Sequence, residues 1–382
     1  MTACLFGTYD RAHSANRLLR QALVQAGFTV EELHEPLWEE TREKDARYFG
    51  PVSLARLGAR HAAAARRLTR RWRQRSGPPP IVVTGFGGQL DVLLAARVCR
   101  PRAALVFAPL VSLSETLVED RRVFPAGGMR ARALARLDRA TFTAADLVLA
   151  DTAAHADYFV ELGAAPDRVA PWHFGVEPEF AAVPPARVVP RRVLFYGRCL
   201  PLHGLDTIVA AAARLGERAE FVLIGGGPER ARMQALATRL AAPITWRDDI
   251  PLAALPGELA AAAVVLGVFG AGRKAAMVVP NKVYQAGAAG RPLVTRDGPG
   301  LREVLVPGEH CVACPPGDPA ALAEAVRGLL DEPARAARIG AAARAHVLTQ
   351  FGAEAVALRL REVLEARLGV TPAGTASARL AC

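Results

Sequence analysis

Polar and apolar positions follow two alternating rhythms along this chain. Short apolar runs occur at Cys4-Leu-Phe6, Phe28–Leu33, Ile81–Thr84, Ala104–Phe107 and Leu147–Ala150. Between them lie longer stretches, such as Ser14–Ala26, in which apolar residues recur every three or four positions, and the helix-forming segment containing Asp91–Ala96. The short runs predict buried strands and the longer ones amphipathic helices. Strands separated by helices of ten or more residues predict parallel βαβ units. The pattern breaks at 171–190, where Pro171, Pro178, Pro184, Pro185 and Pro190 fall without any period. It resumes with Arg192–Gly197, Phe221–Gly225, Ile244–Trp246, Val264–Phe269 and Pro292–Thr295. Thr152 and Asp318 read as helix N-caps, the latter followed by Pro319 at the first helical position. The expected architecture is α/β, with two Rossmann-like doubly wound domains, 1–172 and 191–350, facing a central cleft. Residues 173–190 are the expected linker. A C-terminal helix, 351–368, is expected to cross back to the first domain, and 369–382 to form a disordered tail. In such sheets ligands bind beyond the carboxyl ends of the strands.

Size agrees with two domains: 382 residues, 51% hydrophobic and 22% charged, are enough for two cores. No apolar run reaches the roughly 18–20 residues of a membrane span. The opening residues 1–7 read as a strand rather than a signal peptide. The six cysteines are scattered, as reduced thiols of a cytoplasmic protein would be. Cys311-Val-Ala-Cys314 lies in a strand-like run without a second pair, so it reads as incidental rather than metal-binding. Net charge is +11, and Arg56–Arg75 holds eight arginines and no acid. Leu57, His61, Ala64, Leu68 and Trp72 share one side of that segment. It reads either as a basic amphipathic helix for an anionic membrane surface or as a solvated arginine-rich face. No nucleic-acid-binding motif accompanies it.

Positive charge is written as 45 arginines and only three lysines, two of which, Lys274 and Lys282, fall in the short stretch 270–295. Lysine is a compact point charge where arginine is a planar fork. Pro280-Asn281 predicts a helix start with Asn281 as N-cap, and a helix N-terminus favours anions. Lys282 therefore reads as a ligand for the diphosphate of an activated sugar, or as a solvated first-turn residue. In the loop Gly197–Gly204, Arg198 offers a bidentate fork to phosphate oxygens and His203 a further donor. In Ile224–Arg230 the glycines permit close backbone approach, without a full G-x-G-x-x-G or a P-loop. Gln285 is either a ribose ligand or a helix-surface residue.

Phe195–Ile208, Leu223–Arg230, Asn281–Thr295, Leu301–Leu305 and Pro316–Leu322 together resemble the retaining glycosyltransferases of family 4, which have the GT-B fold. The resemblance covers residues 190 to 365. It is looser at Phe6–Asp10 and Ser112–Thr116. It implies a nucleotide-diphosphate sugar as donor substrate, no cofactor, and a glycan or lipid-linked acceptor, as in cell-envelope polysaccharide synthesis. Arg198, Lys282 and His203 take the catalytic role. Gly7, Arg198, His203, Gly225, Gly226, Ile250, Lys274, Asn281, Lys282, Val283 and Gln285 are the donor-binding set. Tyr9, Asp10, Ser112, Ser114 and Glu115 lie on the acceptor side, the last three with a competing helix-cap reading. The chain departs from the family in three places. His203 stands where a lysine is usual, and neither family glutamate is present, one falling on Gln285 and the other near Met277. The loop Gly270–Lys274 is where a replacement is expected. No Asp-x-Asp metal motif occurs, so charge on the leaving diphosphate falls to side chains and amides. The expected enzyme is a cytoplasmic hexosyltransferase, peripheral to the inner face of the membrane. The alternatives are an epimerase or hydrolase acting on the nucleotide sugar, and a non-catalytic binding or scaffold protein.

Overall fold

The computed structural model describes residues 1–39, 50–183 and 187–372. Pro184 and Pro185 of the expected linker and 373–382 of the expected tail lie outside the described residues.

The first domain carries strands β1 (Thr2–Gly7), β2 (Thr29–His34), β3 (Ile81–Thr84), β4 (Ala104–Phe107), β5 (Leu147–Ala150) and β6 (Val169–Pro171) in the order β2-β1-β3-β4-β5-β6. The second carries β7 (Arg192–Tyr196), β8 (Glu220–Ile224), β9 (Ile244–Arg247), β10 (Val264–Leu266), β11 (Leu293–Arg296) and β12 (Val312–Cys314) in the order β12-β11-β10-β7-β8-β9. Every pairing is parallel. Ile81–Thr84 and Val264–Leu266 are buried at every position. Helices therefore cover both faces, which is why these strands read as continuous apolar runs. Thr152 Oγ1 accepts from the His155 amide, and Asp318 accepts from the amides of Ala320 and Ala321, so both act as caps.

Three expectations need correction here. The strand β6 is too short to show a period and was absent from the sequence reading. The segment after it is no free spacer. Trp172 and Phe174 are buried in the first domain's core, Val176 and Phe180 in the second's, and Pro178–Ala181 is helical. The basic helix, Pro51–Arg73, turns Ala64, Leu68 and Trp72 into the domain, with Trp72 edge-on to Phe6 at 6.5 Å. Its tryptophan is core, not membrane anchor.

The last helix, Ala353–Leu368, lays Val356, Ala357, Leu360 and Leu364 into the first domain's core beside the helix Ser14–Gln25. Trp172 Nε1 donates to the Val356 carbonyl at 3.1 Å. Val370 is buried in the same cluster, so ordered packing continues past the expected start of the tail.

Candidate active site

The loops after β7, β8 and β10 meet at the carboxyl edge of the second sheet. Gly204 closes the first loop at φ 61°, and a Cβ there would lie 2.5 Å from the Gly270 amide nitrogen. Only glycine lets these loops touch backbone to backbone. Gly225, at φ 130°, does the same against the Gly197 carbonyl, 2.3 Å from where its Cβ would stand. The Gly226 amide, expected on the donor, instead donates to Asp249 Oδ1 at 3.1 Å. These glycines shape the floor of the site. Ile250, just past β9, is partly buried against the second domain's core. Two larger cavities, of about 700 and 740 Å³, lie at the opposite, amino-terminal edge of this sheet, away from the loops.

Lys282 enters this floor from the helix Asn281–Ala288. Its ammonium is buried, has no hydrogen-bond partner, and lies 3.9 Å from the Phe195 ring centroid. A Cβ on Gly197 would stand 3.6 Å from Nζ. Burial pushes the ammonium down to about 7. The Phe195 face offsets part of the desolvation through a cation–π contact. What remains is a cation without an anion. His203 is buried beside it, edge-on to Phe195, with Nδ1 unpartnered. Burial, and then Lys282, hold the imidazole well below its ordinary range. His203 is therefore neutral and adds an N–H, not the charge of the usual lysine. Arg198 in the same loop is exposed.

Other expected donor ligands are occupied within the protein. Gln285 is buried: its amide donates to both Glu177 oxygens at 3.1 Å and its carbonyl accepts from Tyr196 Oη at 2.8 Å. It is a structural pin, not a free ribose ligand. Burial raises the Glu177 carboxyl, and the Gln285 amide opposes this. Val283 is core, and its amide donates to the Pro280 carbonyl. Asn281 is the first helical residue rather than the cap. Its amide donates to Ser14 Oγ of the first domain at 2.5 Å. Lys274 also reaches across, donating to Thr116 Oγ1 at 2.8 Å and lying 3.7 Å from Glu115 Oε2.

On the facing domain the expected donor ligand Gly7 and the acceptor-side set fare similarly. Gly7 makes room for Asp91, whose Oδ2 would sit 2.5 Å from a Cβ there. Tyr9 is buried and donates to Glu32 at 2.9 Å. Asp10 holds a turn by accepting from the Ala12 amide. Ser112 Oγ accepts from the Glu115 amide, which is the cap reading; the Ser114 hydroxyl is buried without a partner. Glu115 is fully buried 3.4 Å from His155 Nε2, and Asp151 lies 2.6 Å from the other ring nitrogen. Burial alone would lower the His155 imidazole, but the two carboxylates hold it at about 9. Burial opposes ionisation of Glu115 too, yet His155 and Lys274 carry it below the usual carboxylate range. Glu115 thus holds the fold and is closed to an acceptor.

Sequence reasoning missed Asp120 and Arg121, at the end of the short helix Glu115–Asp120. Asp120 Oδ2 and Arg121 Nε are buried without partners. Burial raises the Asp120 carboxyl against the pull of Lys274, Arg121 and the Leu202 amide in the loop after β7. Burial lowers Arg121, and Arg198 adds repulsion across the cleft. The visible signal was an acid–arginine pair directly after the Ser112–Thr116 segment. Among the described residues no cluster of three or more His, Cys, Asp or Glu is placed to hold a metal. Cys311 and Cys314 are buried thiols, pushed by burial up to about 12 and about 11.

The profile of the family described as Glycosyl transferases group 1 matches residues 190–332, the segment that builds these loops. That segment is similar to a group 1 glycosyltransferase domain. The chain is 30% identical over 305 residues to the D-inositol 3-phosphate glycosyltransferase of Streptomyces coelicolor, a match covering 68% of this chain. It spans 64% of that relative, less than two-thirds of its length. In fold the chain is similar to sucrose-phosphate synthase from Thermosynechococcus elongatus, with TM-score 0.74, 19% identity, and 96% and 99% of the two chains covered. It is also similar to Anabaena Alr3699/HepE in complex with UDP and glucose, with TM-score 0.68, 15% identity, and coverage of 96% and 100%. The fold is GT-B.

Proposed function

We propose that this chain is a retaining glycosyltransferase. It moves a hexose from a nucleotide-diphosphate sugar to a hydroxyl of a glycan or lipid-linked acceptor. The observation that carries the reading is Lys282: a buried ammonium without an anion, in the floor formed by the loops of the segment similar to a group 1 glycosyltransferase domain. The similar structure of Anabaena Alr3699/HepE in complex with UDP and glucose supports a donor of this class.

In the proposed step the bond between the anomeric carbon and the diphosphate oxygen breaks while the acceptor oxygen bonds to the same carbon from the same face. The acceptor proton passes to the departing phosphate oxygen. Negative charge grows on the diphosphate, and fixed cations in a water-poor site stabilise it most. Lys282 and Arg198 supply that charge from below and Arg121 from the facing domain, so the reaction needs no metal. Neutral His203 donates a hydrogen bond to the sugar or phosphate. Asp120, which the Leu202 amide of the loop after β7 reaches from across the cleft, takes the sugar-side role that the absent glutamates leave open. The proposed location is the cytoplasmic side of the membrane, where a cell-envelope acceptor would be presented.

The engagement of Gln285 by Glu177 and Tyr196 favours a second reading, a protein that binds the nucleotide and does not turn over. The two are separated by a panel of UDP-, GDP- and ADP-hexoses. Selective slow hydrolysis, with one nucleoside diphosphate raising thermal stability, supports transfer. A thermal shift without turnover, even with membrane lipid extract added, favours the binder. No shift with any diphosphate overturns both.

A further inference from the structure

One apolar pocket of about 460 Å³ opens over the carboxyl edge of the first sheet, and neither the fold nor the donor chemistry accounts for it. It is lined where Thr8 follows β1, Gly87 follows β3, and Leu113 and Leu117 follow β4. Those are three neighbouring strand ends. Its far wall is Leu134 and Leu137 of the helix Met129–Ala144, and its near wall Leu57 of the basic helix. The size is that of a small-molecule site, and the walls are almost wholly hydrocarbon.

Three observations point to the occupant. First, two large apolar side chains that line the pocket, Leu54 and Leu90, are left in water at 41% and 43% exposure. Isolated exposed apolar residues need no explanation, but exposed ones that line a pocket mark a binding surface. Second, the polar groups sit at one end. His61 Nε2 lies 3.2 Å from Asp91 Oδ1, and Asp91 also accepts from the Thr8 amide at 2.7 Å. Third, Arg130, stacked on Phe124 at 5.3 Å, is among the described lining residues, and no carboxylate is among them. Hydrocarbon walls, a polar end and an arginine lip fit an anionic amphiphile.

The helix Glu115–Asp120 separates this pocket from the donor loops. Leu117 faces the pocket, while Thr116 takes the Lys274 hydrogen bond and Asp120 meets the Leu202 amide. We propose that the acceptor is an amphiphile with an anionic head, that its hydrocarbon chain lies in this pocket, and that its hydroxyl is positioned near Thr8 and His61. This rests on the transferase reading and narrows its acceptor to one chemical class.

Gly58 supplies the test. It lines the pocket, and a Cβ there meets nothing within 4 Å. A larger residue at this helical position also raises helix propensity. Gly58→Phe therefore fills the pocket without breaking the fold. The probe is decyl phosphate below its aggregation limit, titrated by calorimetry, with inorganic phosphate as control. The expected result is saturable one-to-one binding of decyl phosphate, no binding of phosphate alone, and at least a tenfold loss in Gly58→Phe. The thermal shift by nucleoside diphosphate is expected to be unchanged in that variant, so the donor reading is checked in the same preparation. Absence of saturable binding overturns the proposal, as does binding that Gly58→Phe leaves intact. Partition onto anionic vesicles without binding of the monomeric probe overturns it too, making the patch a membrane contact instead.

Discussion

At the scale of single residues, Lys282 carries the sharpest consequences. An ammonium buried without an anion costs the free protein stability that a bound diphosphate restores. Lys282→Met is expected to stabilise the ligand-free protein by roughly 1 kcal/mol or more, read as a higher melting temperature. The same variant is expected to lose the shift produced by nucleoside diphosphate; thermal denaturation with and without nucleotide reads both. The pH dependence has a definite sign. Lys282 ionises near its ordinary 10.5 when unfolded and at about 7 when folded. Between those values the unfolded state binds more protons, so this residue makes stability rise with pH. A bound diphosphate lifts the folded value, so nucleotide binding takes up a proton above pH 7 and weakens as pH rises. Calorimetry at pH 8 in buffers of different ionisation enthalpy measures that uptake. His155 works in the opposite direction. Its folded value is raised from 6.5 to about 9, so its contribution is complete below 6.5 and is lost as pH rises through 9. His155→Gln is expected to flatten that fall in urea titrations across pH 6–9. Lys282 was legible in the sequence because it breaks an arginine habit. The hydrogen bonds of Gln285 to Glu177 were not legible, because Glu177 lies 108 positions away and no local pattern reports such a pairing.

At the scale of elements, the strands were readable because parallel strands buried on both faces are continuous apolar runs. The exception, β6, has three residues and no room for a pattern. The basic helix shows the complementary limit. An apolar stripe has the same spacing whether it meets a core or a bilayer, so the sequence left the surface that Trp72 meets open, and in the structure it packs on Phe6. The loop after β7 was found from its arginine, although its shape depends on Gly204. Gly204→Ala places a methyl group against the Gly270 amide at a positive φ. Strain of this kind costs about 1–3 kcal/mol. The expected outcome is lower stability together with loss of nucleotide binding, whereas Gly216→Ala, with open space around its Cβ, is expected to keep nucleotide binding. Thermal shift with and without nucleotide compares the two.

At the scale of the whole molecule, the two-domain plan was visible in the sequence, but the contacts between domains were not. They join residues far apart in the chain. Lys274 meets Thr116, Asn281 meets Ser14, and Glu303 accepts from the Ala153 and Ala154 amides at the start of the helix Ala153–Glu161. Thr152 Oγ1 donates to the Met277 carbonyl at 2.8 Å. Asp120 and Arg121 belong to this level as well, since their importance comes only from what faces them. Arg121→Gln is expected to weaken donor affinity by about 1.5–3 kcal/mol, the range for a charged hydrogen bond. Titration with the nucleoside diphosphate measures it. Lys274→Met removes a cross-cleft hydrogen bond and leaves Glu115 with one fewer cation. It is expected to enlarge the radius of gyration in small-angle scattering, and a saturating nucleotide is expected to reverse part of that change.

The helix Ala353–Leu368 has a consequence for how the protein is made. A ribosome releases the first domain's strands long before this helix, yet Val356, Leu360 and Leu364 form part of that domain's interior. Until they emerge, the nascent first domain carries an uncovered apolar wall while the second is already complete. The domain synthesised first is therefore finished last, and its early exposure makes it the natural client of a chaperone during translation.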